Sequence, residues 1–122
     1  MGEAKVSSRR VLLMDDEHDL AESLATLLKE GGYDVKLPES IAEASQMLDR
    51  ESFDIVITDI FMQERSGYEM IDLAKRQHVE QVIAISGQGV EWEAKSRGAD
   101  HFLKKPIGMK KLAKVLLKPK AS

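Results

Sequence analysis

Four places in this 122-residue chain carry residue types that could do chemistry together: Asp15-Asp16, Asp59, Ser86 and Lys105. Each follows an apolar run. Val11-Leu12-Leu13-Met14 leads into Asp15, Ile55-Val56-Ile57-Thr58 into Asp59, Val82-Ile83-Ala84-Ile85 into Ser86, and His101-Phe102-Leu103 precedes Lys105 by one residue. If the apolar runs are neighbouring strands, their ends bring three aspartates together. Two carboxylates ~5 Å apart repel by roughly 3 kcal/mol at an effective dielectric of ~20. Such a cluster raises its own pKa values or recruits a cation. Mg²⁺ is the natural candidate, being hard, oxygen-seeking and content with one or two carboxylates plus phosphate oxygens. One aspartate oxygen could then attack phosphorus and form an aspartyl phosphate. The equatorial oxygens of that transition state need donors and positive charge, which a Ser86 hydroxyl and a Lys105 ammonium can supply. Any one of these residues alone has a plainer explanation, since an Asp after a strand often just caps a helix. The joint pattern is far more specific.

The elements that must position these groups are legible as periodicities. Continuous apolar runs at 11–14, 55–58 and 82–85 read as strands buried on both faces. Tyr33-Asp34-Val35-Lys36-Leu37 alternates, as an edge strand does, and Pro38 stops it. Leu20, Leu24, Leu27 and Leu28 recur at helical spacing before Gly31-Gly32. Ser40 with Glu43 forms a capping box for a helix with Ile41, Ala44 and Leu48 inward. Ser66-Gly67 opens a helix with Met70, Ile71 and Ala74 inward. Val90 to Arg97 is a short helix ended by Gly98, 101–103 a final strand, and Leu112, Ala113 and Leu116 mark the last helix, ended by Lys118-Pro119. Five strands alternating with five helices predict an α/β fold, a doubly wound, flavodoxin-like parallel sheet with helices on both faces. Strand order 2-1-3-4-5 keeps the continuous runs central. It also sets strands one and three at the topological switch point, where open α/β sheets bind ligands beyond the strand C-termini.

Composition sets bounds. The chain is 43% hydrophobic and 32% charged, with no Cys, which suits one ordinary soluble domain and excludes disulfide and thiolate-metal chemistry. No run approaches the ~20 apolar residues of a membrane span. The start lacks the apolar core of a signal peptide, and Val6 breaks the myristoylation pattern. The expected location is the cytoplasm, with no membrane partner. The net charge of −3 conceals an asymmetry: all 21 acidic residues lie at or before Asp100, and seven lysines follow at 104, 105, 110, 111, 114, 118 and 120. No aromatic interleaves with them to stack on bases, so the run reads as a solvated helix face without direct nucleic-acid binding.

At this point the chain resembles the receiver domain of two-component response regulators, a group that includes the single-domain chemotaxis regulator. The resemblance covers about residues 9 to 117. It rests on Asp15-Asp16, Asp59, Ser86 at the Thr/Ser position, Lys105-Pro106, the 44-residue step from Asp15 to Asp59, and Met62 and Gly67, three and eight residues after Asp59. It implies a flexible N-terminal segment at 1–9, a receiver domain at 10–118 and a short tail at 119–122. It also implies that Asp59 is the phosphoacceptor, charged by a sensor histidine kinase or a histidine phosphotransfer protein. Asp16, Asp59 and the Phe61 carbonyl would ligate Mg²⁺, with Asp15 acting mainly through water. Ser86 and Lys105 would hold the phosphoryl group, Phe102 would rotate inward as a switch, and the output would be altered contacts with a downstream protein or onward phosphorelay. The Lys105-Pro106 bond would be cis. Such a domain is not a conventional enzyme, catalysing only its own phosphoryl transfer and dephosphorylation.

Three departures from the family pattern stand out. Gln63 replaces the usual proline, which predicts a looser loop after Asp59. Ser86 lies 27 residues after Asp59 and Lys105 lies 19 after Ser86. Both steps are short against common receivers, and the second shortens the fourth helix. Phe61 stands where a side chain overhangs the phosphoryl group and hinders the hydrolytic water, while Gln88 could orient that water. Phe61 is expected to prevail, giving slow dephosphorylation. Trp92 is either an interface anchor or a lid on the core. Two other functions compete: a receiver that binds partners without phosphorylation, favoured only by the short fourth helix, and a haloacid dehalogenase-type phosphatase. The latter needs a second Asp two residues after the nucleophile, where this chain has Phe61.

Overall fold

The computed structural model describes residues 9–62 and 67–117. The expectations for residues 1–8, for Gln63 and Ser66, and for Lys118-Pro119 and the tail after them lie outside that range. Five strands and five helices alternate: β1 (Arg10–Met14), α1 (His18–Glu30), β2 (Asp34–Lys36), α2 (Ile41–Arg50), β3 (Ile55–Asp59), α3 (Gly67–Arg76), β4 (Gln81–Ser86), α4 (Glu91–Ser96), β5 (His101–Lys104) and α5 (Met109–Leu117). The strands form one parallel sheet in the order β2-β1-β3-β4-β5.

The side-chain period of two sorts each strand between two cores. Leu12, Met14, Val56, Val82 and Ala84 pack with Ile41, Leu48, Met70, Ile71 and Ala94 of α2, α3 and α4. Val11, Leu13, Ile55, Ile57, Ile83 and Ile85 pack with Leu24, Leu28, Leu112 and Leu116 of α1 and α5. Every residue of β3 and β4 is buried, as continuous apolar runs require of strands covered on both faces. The edge strand is shorter than its alternation suggested. Gly32, at φ +98°, turns the chain before it, Pro38 follows it, and Tyr33 and Leu37 pack at the margin of the α1/α5 core.

Two helical expectations are adjusted. Leu27 is 42% exposed, and α1 instead buries Ala21 and Ala25 beside Leu24 and Leu28. The fourth helix is as short as expected, six residues between caps at Val90 and Arg97, and Gly98 at φ +120° reverses the chain after it. On α2, Ser40 Oγ accepts a hydrogen bond from the Glu43 amide at 3.0 Å. The Glu43 carboxylate reaches one residue further back than a standard capping box, accepting from the Glu39 amide at 2.6 Å.

At the N-terminal end of the sheet Arg10 ties three segments together. Its guanidinium pairs with Asp34 at 3.1 Å, donates to the Ser52 carbonyl at 3.0 Å and lies over the Phe53 ring at 4.7 Å. The opposite end is where the register matters. Met14 pairs with Thr58 in adjacent parallel strands, so the next residues, Asp15 and Asp59, leave the sheet side by side. Gly67 closes this end from below: its amide donates to the Ile60 carbonyl, and a Cβ there would sit 1.8 Å from the Asp59 carbonyl oxygen.

No side chain larger than hydrogen fits at Gly67 without moving the backbone of Asp59. Gly67→Ala is expected to cost about 3 kcal/mol or more in urea unfolding, against about 1 kcal/mol for loss of the cap in Ser40→Ala. Equal midpoints for Gly67→Ala and wild type would refute the close approach.

Candidate functional site

The strand ends bring the acidic residues together as the register dictates, with one change of membership. Among the described residues, carboxylate oxygens of Asp15, Glu17 and Asp59 all lie within 4.8 Å of one another. Asp15 and Asp59 are buried, and Glu17 is at the rim. Asp16, expected as a direct ligand, is exposed and stands outside that trio. Glu17 precedes α1, and its amide donates to Asp15 Oδ1 at 3.0 Å, which fixes the Asp15 carboxylate at the turn between β1 and α1. In the sequence Glu17 stands out only as an acid next to the start of α1. Its place in the trio becomes visible once Lys105 is located.

Lys105 follows β5, its amide bonded to the Ser86 carbonyl at 2.8 Å, and the Lys105-Pro106 peptide bond is cis. Its ammonium reaches into the acidic cluster, 2.6 Å from Glu17 Oε1, 3.0 Å from Asp15 Oδ2 and 3.3 Å from Asp59 Oδ2. Burial disfavours the charged ammonium, but the hydrogen bond to Glu17 and the contacts with Asp15 and Asp59 outweigh it and raise the Lys105 pKa. Asp59 is pushed the other way from an ordinary aspartate. Burial first, and then the charge of Asp15, lift it from 3.8 to about 6, opposed by Lys105 and by the Phe61 amide, which lies 3.4 Å from Asp59 Oδ1.

The remaining predicted groups lie on β4 and β5 or just beyond β3 and β4. Ser86 is fully buried at the end of β4, and its Oγ accepts from the Gln88 amide at 3.0 Å. The Gln88 residue itself is exposed. Phe61 is 46% exposed immediately beyond Asp59. Phe102, on β5, packs partly buried against the α2–α4 core. Its other side lines a groove of about 710 Å³ with Trp92, Lys104 and Lys111. Trp92 is 78% exposed, so it is no lid on the core.

The donor set suits a divalent cation on chemical grounds: three carboxylates, two of them buried, with Asp15 Oδ2 making no hydrogen bond, since the nearby Lys105 ammonium lies off hydrogen-bonding geometry. In the metal-free protein the raised Asp59 pKa means that the folded state binds this proton more tightly than the unfolded one. Its ionisation therefore costs stability as pH rises from about 4 through about 6. Asp59→Asn is expected to unfold at a higher temperature than wild type at pH 7 in EDTA, with the gap closing below pH 4. A variant no more stable than wild type at pH 7 would contradict the shift.

Likeness to known proteins agrees with the geometry. A family model described as the response regulator receiver domain matches residues 11–117. The chain is 34% identical over 113 residues to the adventurous-gliding motility protein Z of Myxococcus xanthus, an alignment covering 86% of this chain and 8% of that protein. It is 28% identical over 115 residues to the response regulator protein PilR of Pseudomonas aeruginosa, covering 91% and 26% respectively. The chain thus spans less than half the length of these curated relatives. Among solved structures it is similar to a response regulator protein from Burkholderia pseudomallei with a phosphorylated aspartic acid, calcium ion and citrate. There the TM-score is 0.82 at 25% identity, over 91% of this chain and 68% of that one. It is also similar to response regulator protein TrrA of Thermotoga maritima in complex with Mg(2+)-BeF, with a TM-score of 0.78 at 26% identity, over 88% and 96%. A parallel sheet in the order 2-1-3-4-5, a buried acidic cluster at its switch point and a family match across nearly all described residues leave one conclusion: the chain belongs to the response regulator receiver domain family.

Proposed function

We propose that this receiver accepts a phosphoryl group on Asp59 from a sensor histidine kinase or a histidine phosphotransfer protein, in the cytoplasm and with Mg²⁺ as cofactor. The observation that carries this reading is the setting of Asp59: a buried carboxylate at the end of β3, between the like charge of Asp15 and the ammonium of Lys105. The phosphorylated aspartate of the Burkholderia pseudomallei neighbour and the Mg(2+)-BeF of the Thermotoga maritima one support it. Asp15, Asp59 and the Phe61 carbonyl would hold the ion, with Glu17 at its edge and Asp16 joining only by turning in from its exposed position. When bound, Mg²⁺ neutralises the carboxylates and the charge developing on the phosphoryl oxygens.

The chain's own groups divide the remaining work. An ionised Asp59 oxygen forms the new bond to phosphorus while the bond from phosphorus to the donor histidine nitrogen breaks, and that imidazole retains the leaving electron pair. Lys105 stays charged throughout and offers its ammonium to the transferred oxygens. Ser86 exchanges its present hydrogen bond for one to the phosphoryl group, and Phe102 follows into the space this frees. Phe102 reaches both the core and the groove beside Trp92, so its rotation would alter the surface that a downstream protein meets.

Incubation with acetyl phosphate and Mg²⁺ is expected to add one phosphoryl mass, reduced to background in Asp59→Asn and in EDTA. Labelling at another residue would overturn the assignment. Phe61 stands half-exposed beside the acceptor, so Phe61→Asn is expected to shorten the lifetime of the phosphorylated form several-fold. An unchanged lifetime would remove Phe61 from that role.

A further inference from the structure

Glu17 and Lys105 form the shortest contact in the acidic cluster, at 2.6 Å, and their carboxylate and ammonium differ sharply in setting. The Lys105 side chain is 16% exposed, whereas that of Glu17 is 63% exposed. The other two partners of the ammonium are the Asp15 and Asp59 side chains, 1% and 7% exposed, and held by strand ends. Glu17 is held by neither a strand nor a cap: it occupies the N-cap position of α1, and its side chain makes no capping hydrogen bond. The ammonium therefore has two fixed anionic partners inside the pocket and one movable partner at the rim.

Lys105 sits on Oδ2 of both Asp15 and Asp59. Those carboxylates are also the ones that would receive a divalent cation, and an ammonium and a metal ion compete for the same lone pairs. We infer that Glu17 is a positioning residue for Lys105, the rim acceptor onto which the ammonium withdraws when a divalent cation takes Asp15 and Asp59. The inference rests on the reading of Asp59 as a metal-assisted phosphoacceptor and adds a residue to it. With Glu17 present, Lys105 can give up both aspartates and remain paired. Without Glu17, the anionic partners left to it among the described residues are the two that the metal needs, so it opposes the ion more strongly. The effect of Glu17 on metal affinity thus passes through Lys105.

Calorimetric titration of Mg²⁺ into wild type, Glu17→Gln, Lys105→Met and the double variant separates this from direct ligation. Glu17→Gln is expected to weaken Mg²⁺ binding by about three- to fivefold, the scale of a largely exposed ion pair. Lys105→Met is expected to tighten it. In the Lys105→Met background, Glu17→Gln is expected to change the constant by less than about 1.5-fold, the limit for uncoupled sites. An undiminished effect in that background would make Glu17 a ligand in its own right and overturn the inference. Wild-type constants in Glu17→Gln would overturn it as well, and are what a residue that merely supports α1 would give. A wild type that takes up no Mg²⁺ also overturns it. Acetyl phosphate labelling of the same wild-type preparation keeps the two readings apart: Mg²⁺ binding without labelling would end the phosphoacceptor reading and leave the Glu17–Lys105 coupling still measured.

Discussion

Three carboxylates within 4.8 Å of one another stand at this sheet edge because a lysine ammonium reaches between them. At that spacing each pair repels by about 3 kcal/mol at an effective dielectric of ~20, and the burial of Asp15 and Asp59 adds a desolvation cost. Lys105 offsets part of this, yet Asp59 remains raised to about 6. The folded domain thus carries an unresolved surplus of negative charge at one point. It is an arrangement that a divalent cation would relieve.

That interaction depends on backbone geometry set far from it. Asp15 and Asp59 are neighbours because Val11 pairs with Ile55 and Met14 with Thr58. A slip of one residue would turn every side chain of β1 to the opposite core. The alternating assignment of Leu12 and Met14 to one core, and of Val11 and Leu13 to the other, forbids the slip. Gly67 adds a second constraint. Its lack of a side chain lets α3 begin directly against the Asp59 carbonyl, so β3 is clamped just where it leaves the sheet. The hydrophobic sorting of the sheet thereby fixes the position of an unfavourable charge cluster.

Much of this was legible in the chain because strands buried on both faces are written as unbroken apolar runs. Ile55-Val56-Ile57 announces β3, and the polar residues that end such runs announce the site. The signal fails where a role depends on a distant partner or on too few residues. Leu27 matches the helical spacing of α1 but is exposed, since Ala21 and Ala25 complete a stripe that spacing of leucines alone does not reveal. Glu17 reads as a helix N-terminal acid, and its contact with Lys105 joins residues 88 positions apart. The six residues of α4 are too few for a periodicity to say which way Trp92 faces.

The shortness of α4 bears on how firmly the segment after Ser86 is held. A longer helix would bury more of one face and tie the segment after Ser86 firmly to the core. Here Ala94 is the one residue of α4 that is buried, and Trp92 projects into solvent beside a groove shared with Phe102 of β5. An element with so few buried contacts lies at the low-stability end of a structure, where rearrangement costs least. The gap between the acidic cluster and the groove is bridged by β4 and β5 themselves, since Ser86 pairs with Lys104 and Ala84 with Phe102. A change at Ser86 therefore has a direct route to the groove through two paired strands. The weakly anchored α4, with Ala94 alone buried, offers little resistance at its far end.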